Sequence, residues 1–138
     1  MTKYFLFGVV LVSLIISSIF YLIGDKGMNK RVLFILMPEG YQDFEFNEPY
    51  GLLKAKGCKI DVAGLRSGIA LGKMGGSFNP NLVLTDMADS DFDKYDALVI
   101  PGGPGSVQCL WNDAKVKSTI MYFYNNKRHK FYFNNCNK

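Results

Sequence analysis

The stretch YDALVIPGGPG, Tyr95 to Gly105, decides how the rest of the chain is read. Its first half is a short apolar run, Ala97 to Ile100, bounded by Asp96 and a Pro/Gly cluster, the pattern of a strand buried within a parallel sheet. Its second half is neither strand nor helix. Pro101 and Pro104 have no amide donor, and Gly102, Gly103 and Gly105 reach backbone angles that other residues avoid. A buried parallel strand that ends in such a loop leaves backbone amides at the carboxyl edge of the sheet, where open α/β folds bind ligands. The plainer reading of the same glycines is a strand followed by a tight turn.

The chain has 138 residues, 49% hydrophobic and 20% charged, which suits one globular domain. A net charge of +4 is modest and diffuse, so nucleic acid is not expected as a partner. The cysteines Cys58, Cys109 and Cys136 are scattered without a CxxC pair, which argues against a disulfide framework or a zinc site. Asp86, Asp89, Asp91 and Asp93 lack the glycine and terminal glutamate of a calcium loop and read as a solvated turn. No metal and no cofactor is expected. His129 lies in the basic run Lys127 to Lys130 and reads as a surface residue.

Tyr4 to Ile23 contain no charge, and about 20 such residues at ~1.5 Å rise span the ~30 Å hydrocarbon layer of a membrane. The expectation is therefore a single-pass anchor over residues 1–27 and an α/β domain over 28–138. A cleaved signal peptide is the competitor, but its apolar region is usually shorter. Lys26, Lys30 and Arg31 follow the span, so positive-inside logic puts the domain on the cytoplasmic side. Met28 is an alternative start site.

Arg31 to Met37 form a second continuous apolar run and a first buried strand, ended by Pro38, Glu39 and Gly40. Asp43 or a neighbour can cap a helix running through Glu45 to Lys56, with Pro49 kinking or resetting its first turn. Gly57 closes it, and Lys59 to Gly64 return as a strand, which makes a right-handed βαβ unit. Leu65 to Pro80 are glycine-rich and read as a loop with at most a short edge hairpin, followed by a brief strand over Asn81 to Thr85. After the PGGPG loop come a short helix over Ser106 to Trp111 and a longer one from Ala114 to about Asn125. The longer helix is capped by Asp113 and buries Val116, Ile120 and Phe123 or Tyr124. Lys130 to Phe133 read as a last strand. Its aromatics are assigned to the core rather than to nucleic-acid stacking.

Four segments together resemble the ThiJ/PfpI family of the class I glutamine-amidotransferase-like superfamily: RVLFIL (31–36), GYQDFEFNEP (40–49), GCKIDVAG (57–64) and YDALVIPGGPG (95–105). The resemblance runs from about Asn29 to Asn126. It implies a flavodoxin-like parallel α/β sandwich, usually in homo-oligomers, with a reactive cysteine at a strand-to-helix elbow. A glutamate from the helix after the first strand meets that thiol, and the glycine loop supplies part of an oxyanion hole. By matching position the glutamate is Glu45, the loop glycines are Gly102 and Gly103, and the cysteine is Cys136. A thiol at a helix amino terminus is acidified, and aimed amides stabilise a developing oxyanion. Peptidase, chaperone, glyoxalase and deglycase activities are ascribed to such proteins, so the resemblance does not select a substrate.

The departure from the pattern lies at the thiol. Asn134 and Asn135 stand where small or apolar residues are usual, and Asn137 stands where histidine is common. No elbow helix follows Cys136, so the expected fold is incomplete at its carboxyl end and the expected protein is truncated and catalytically impaired. A truncated sheet would also expose an apolar edge at Leu98 to Ile100 or its neighbour, leaving the domain marginal or oligomeric. Two other functions stay open: a membrane-tethered cysteine hydrolase using Cys136 with Glu45, and a non-catalytic module binding a small ligand on the PGGPG amides. Whether the chain is an enzyme is left undecided by its sequence.

Overall fold

The computed structural model describes residues 29–126 and 131–133. In chain order the elements are β1 (Arg31–Leu36), β2 (Glu39–Tyr41), α1 (Asp43–Ala55), β3 (Lys59–Gly64), β4 (Ala70–Gly72), β5 (Ser77–Phe78), β6 (Leu82–Val83), two 3-10 turns (Leu84–Asp86 and Asp89–Lys94), β7 (Ala97–Ile100), α2 (Ser106–Cys109), α3 (Ala114–Asn126) and β8 (Phe131–Phe133). Five strands make one parallel sheet in the order β6-β3-β1-β7-β8. β1 is its centre, with Phe34 opposite Val62 of β3 on one side and Val99 of β7 on the other. A strand enclosed on both faces needs an unbroken apolar run rather than alternation. Val32 through Met37 are accordingly all buried.

Helix α1 covers the sheet through Phe46, whose ring meets Phe34 at 5.7 Å, Tyr41 at 5.5 Å and Phe78 at 4.8 Å. It runs as one helix through Pro49, without a reset there, and begins two residues earlier than expected, at Asp43. Helix α3 begins as expected, with Val116 N–H donating to Asp113 Oδ1 at 2.8 Å. Its buried stripe is Val116, Thr119 and Phe123, with Ile120 partly buried and Tyr124 exposed. Thr119 can lie inside because its hydroxyl donates to the Lys115 carbonyl one turn back. Phe92, on the second 3-10 turn, packs against Phe123 and closes this side of the core.

The chain steps outward from β1 to β3 and β6, then returns to the other side of β1 as β7 and β8. That reversal puts a topological switch point at the carboxyl ends of β1 and β7, the position where ligands bind in open parallel sheets. A second, three-stranded sheet, β2-β4-β5, extends this end of the molecule. The glycine-rich 65–80 segment holds the short hairpin that its sequence allowed. Its hairpin pairs Ala70 with Phe78, and β4 lies parallel to β2.

The single-pass membrane expectation is corrected. Among the described residues no helix is long and apolar enough to cross a membrane. The longest, α1 and α3, have 13 residues each, about 20 Å at ~1.5 Å rise against a hydrocarbon layer of ~30 Å. The stretch Tyr4 to Ile23 lies outside the described residues, and neither the anchor nor the cytoplasmic orientation of the domain is retained. What stands of the fold-class expectation is the flavodoxin-like parallel α/β layout. In it β7 is internal, and β8 is the outermost strand on that side among the described residues.

Candidate functional site

Glu45 and the PGGPG loop come together at the carboxyl edge of the sheet. Glu45 is the third residue of α1, where the helix dipole favours a carboxylate. Its Oε2 accepts the Gly102 N–H at 2.8 Å. The Gln42 N–H in turn donates to the Gly102 carbonyl at 2.8 Å, and the Gly105 N–H donates to the Gly40 carbonyl at 3.3 Å. Loop and strap, residues 39–42, thus lie backbone to backbone. Only glycine allows this at position 103: its φ is +135°, and a Cβ would lie 2.7 Å from the Gln42 nitrogen and 2.9 Å from the Tyr41 carbonyl carbon. The far end of the loop is tied by Ser106, whose N–H and hydroxyl both donate to the Gly103 carbonyl, at 3.0 Å and 2.7 Å.

The arrangement sets the Glu45 carboxyl group against the backbone of the glycine loop at the carboxyl edge of the sheet. Such a pair can take a proton from an incoming thiol and receive developing negative charge on amides. Of the residues assigned from sequence, Glu45, Gly102 and Gly103 are brought together, and Cys136 lies outside the described residues. Cys58 and Cys109 are half-buried and pack against the core.

Asp43 was read in the sequence as a candidate cap, but the N-cap is Gln42, with no side-chain cap bond, and Asp43, the first helical residue, has a different part. It is buried, and its Oδ2 and Oδ1 accept the N–H groups of Met74 and Gly76, each at 2.8 Å. Burial, and after it the Asp43 charge, pushes the neighbouring Tyr41 hydroxyl above its ordinary pKa. The signal that could have revealed this was the spacing of Gly72 and Gly76, since a Cβ at either would run into the Asp43 carboxylate.

A second polar cluster lies towards the amino-terminal ends of the strands. Asp61 accepts from Tyr95 at 2.8 Å, from Asn81 at 2.9 Å and from Arg31 at 3.1 Å. Burial alone would raise the Asp61 pKa, but these three donors and the Arg31 charge outweigh it and hold the carboxyl below its usual value. Tyr95 is pushed the other way by burial, then by its bond to Asp61 and that carboxylate's charge. The Asp61 carboxylate takes all three donors, while the Arg31 Nε is buried without a hydrogen-bond partner among the described residues; the cluster ties β1, β3 and the residues flanking β6 and β7 together.

The DJ-1/PfpI family model matches residues 30–132. An uncharacterized protein of Methanocaldococcus jannaschii is 34% identical over 100 residues, 72% of this chain and 47% of its own length. Deglycase PfpI of Pyrococcus furiosus is 30% identical over 97 residues, 70% of this chain and 56% of its own. Among solved structures, DJ-1beta of Drosophila melanogaster superposes with a TM-score of 0.62 at 29% identity, over 71% of this chain and 51% of its own. The ThiJ/PfpI domain protein of Brachyspira murdochii gives 0.63 at 28% identity, over 70% and 54%. The chain spans about half the length of the curated relatives it matches. With its family match, its parallel sheet and its glutamate-to-glycine-loop contact, the chain belongs to the DJ-1/PfpI family.

Proposed function

We propose that the domain carries a cysteine-dependent hydrolase site. Glu45 serves as the carboxylate partner of the thiol, Gly102 and Gly103 as the amide loop, and Cys136 as the nucleophile. The observation that carries this reading is the 2.8 Å bond from Gly102 N–H to Glu45 Oε2 at the switch point of the sheet. In the reaction the thiol sulfur adds to a substrate carbonyl carbon. The thiol proton passes to Glu45, and the carbonyl electron pair moves onto oxygen beside the loop amides. The oxyanion then reforms the carbonyl as the leaving group departs with a proton. Water next attacks the covalent intermediate and releases the thiol.

A second reading, a catalytically impaired family member that keeps a ligand site at the loop, is favoured by the sequence, in which Asn134, Asn135 and Asn137 flank Cys136. One experiment separates the two: alkylation of the full chain with iodoacetamide against pH, with Cys136→Ser as the control, alongside release of amine from an amide substrate, in which the amine is carried on the carbonyl carbon. A Cys136 thiol reacting well below the ordinary thiol pKa of about 8.5, with turnover lost in Cys136→Ser and Glu45→Gln, carries the first reading. An ordinary thiol with no turnover carries the second.

A further inference from the structure

We propose that Asp43 is a positioning residue for Glu45: its carboxylate clamps the turn between β4 and β5 onto the first turn of α1 and so fixes where Glu45 meets Gly102. This rests on the reading of Glu45 as part of the functional site.

The strap of residues 39–42 is held from two sides. On one side the Leu71 N–H donates to the Pro38 carbonyl at 2.9 Å and the Lys73 N–H to the Tyr41 carbonyl at 2.8 Å. On the other, Gln42 and Gly40 pair with Gly102 and Gly105. Asp43 is the next residue, 7% exposed, and both its carboxylate oxygens are used, on Met74 N–H and Gly76 N–H. Two positions along a helix turn the side chain by about 200°, so Asp43 and Glu45 leave the same helical turn in nearly opposite directions. Asp43 grips the hairpin and Glu45 grips the loop. The first turn of α1 is thereby pinned at both flanks, and releasing one grip lets it rotate away from the other. Gly72 and Gly76 leave the space the carboxylate occupies, so the clamp can also be displaced from the hairpin side.

The test is amide hydrogen exchange by NMR on the full, isotope-labelled chain, with the Glu45 carboxyl carbon shift as a second readout. Asp43→Asn keeps the shape but loses the charge and one acceptor. It is expected to lower protection of Met74, Gly76 and Gly102 amides by at least about tenfold and to move the Glu45 carbon signal, while Phe34 in β1 stays protected. Gly72→Ala, which drives a methyl group at the carboxylate, gives the same pattern, and Asp43→Glu restores part of it. Loss of protection at Met74 and Gly76 with Gly102 and the Glu45 signal unchanged would overturn the proposal. Where a variant does not fold, the unmodified chain decides. The three amides opening together across a denaturant series supports the clamp, and Gly102 opening independently overturns it. None of these readouts uses Cys136 or turnover, so the clamp can fail with the hydrolase reading intact, and the reverse.

Discussion

Gly102 and Glu45, 57 positions apart in sequence, are joined by a 2.8 Å hydrogen bond from the Gly102 N–H to Glu45 Oε2. The bond ties the first helix to the loop after the fourth strand of the main sheet, so it bears on stability as well as on chemistry. A hydrogen bond to a charged acceptor contributes about 1.5–3 kcal/mol. Glu45→Ala is therefore expected to lower unfolding free energy by roughly 1–3 kcal/mol, and Glu45→Gln by less, because its amide oxygen still accepts. Urea titrations with unchanged m-values are the check. Equal losses for both variants would mean that the acceptor oxygen is not what matters.

Glycines in this chain divide by what surrounds them. Gly103, with φ +135° and the strap backbone within 3 Å of a would-be Cβ, should not tolerate a methyl group. Gly103→Ala is expected to cost roughly 2–4 kcal/mol, combining backbone strain and overpacking. Gly51 lies inside α1 with nothing within 4 Å of its would-be Cβ. Gly51→Ala should raise stability by about 0.5–1 kcal/mol through helix propensity alone. Opposite shifts of the denaturation midpoint in the two variants are the expected result. A destabilised Gly51→Ala would point to an unrecognised contact.

The two buried runs, Arg31 to Leu36 and Ala97 to Ile100, were legible because parallel strands enclosed on both faces leave continuous apolar sequence. Helix α3 and its Asp113 cap were legible from spacing and from one side chain's chemistry. The three-residue strand β2 was not. Glu39–Tyr41 carries no alternation, and its strand character comes from β4, whose Leu71 and Gly72 pair with Glu39 and Tyr41. Asp43 was half legible. Any aspartate before an apolar run reads as a cap, whereas its true partners, Met74 and Gly76, lie in a glycine-rich stretch whose sequence allows a short hairpin but does not relate it to residue 43. The glycine loop was legible from its own prolines and glycines, but Glu45 and its pairing with the loop came from family resemblance, since neither periodicity nor spacing relates residue 45 to residue 102.

Phe44 and Phe46 are neighbours on α1 with opposite surroundings. Phe46 is 1% exposed and has four aromatic rings within 6 Å, Phe34, Tyr41, Tyr50 and Phe78. Truncation to alanine should cost about 3–5 kcal/mol. Phe44 is 57% exposed, so its truncation should fall within about 0.5 kcal/mol of zero. Thermal or chemical unfolding of the pair checks this. A large loss for Phe44→Ala would mean that the exposed ring is covered in solution, for instance by a second copy.

The bond between Tyr95 and Asp61 should appear at both ends of the pH scale, with opposite signs. Asp61 is held below its ordinary pKa in the folded state, because the donors Tyr95, Asn81 and Arg31 outweigh the effect of burial. As pH falls past the ordinary aspartate value of about 3.9, the unfolded chain therefore takes up its proton first, and stability is lost through the folded pKa. Tyr95 is held above its ordinary value by burial, then by Asp61. Its contribution is fully present below the unfolded tyrosine pKa of about 10 and declines as pH rises above it, since the unfolded chain then releases its proton first. Tyr95→Phe removes both the titrating hydroxyl and the strongest of the donors that hold Asp61 down. It should cost about 1–3 kcal/mol at neutral pH, flatten the alkaline limb and make the acid limb shallower. Asp61→Asn should flatten the acid limb and, by removing the carboxylate, bring the alkaline decline of Tyr95 nearer to that of a merely buried phenol. Urea unfolding of the three proteins from about pH 3 to pH 11 measures both limbs at once. An alkaline limb in Tyr95→Phe as steep as in the parent chain would mean that another group, not this phenol, carries the high-pH dependence.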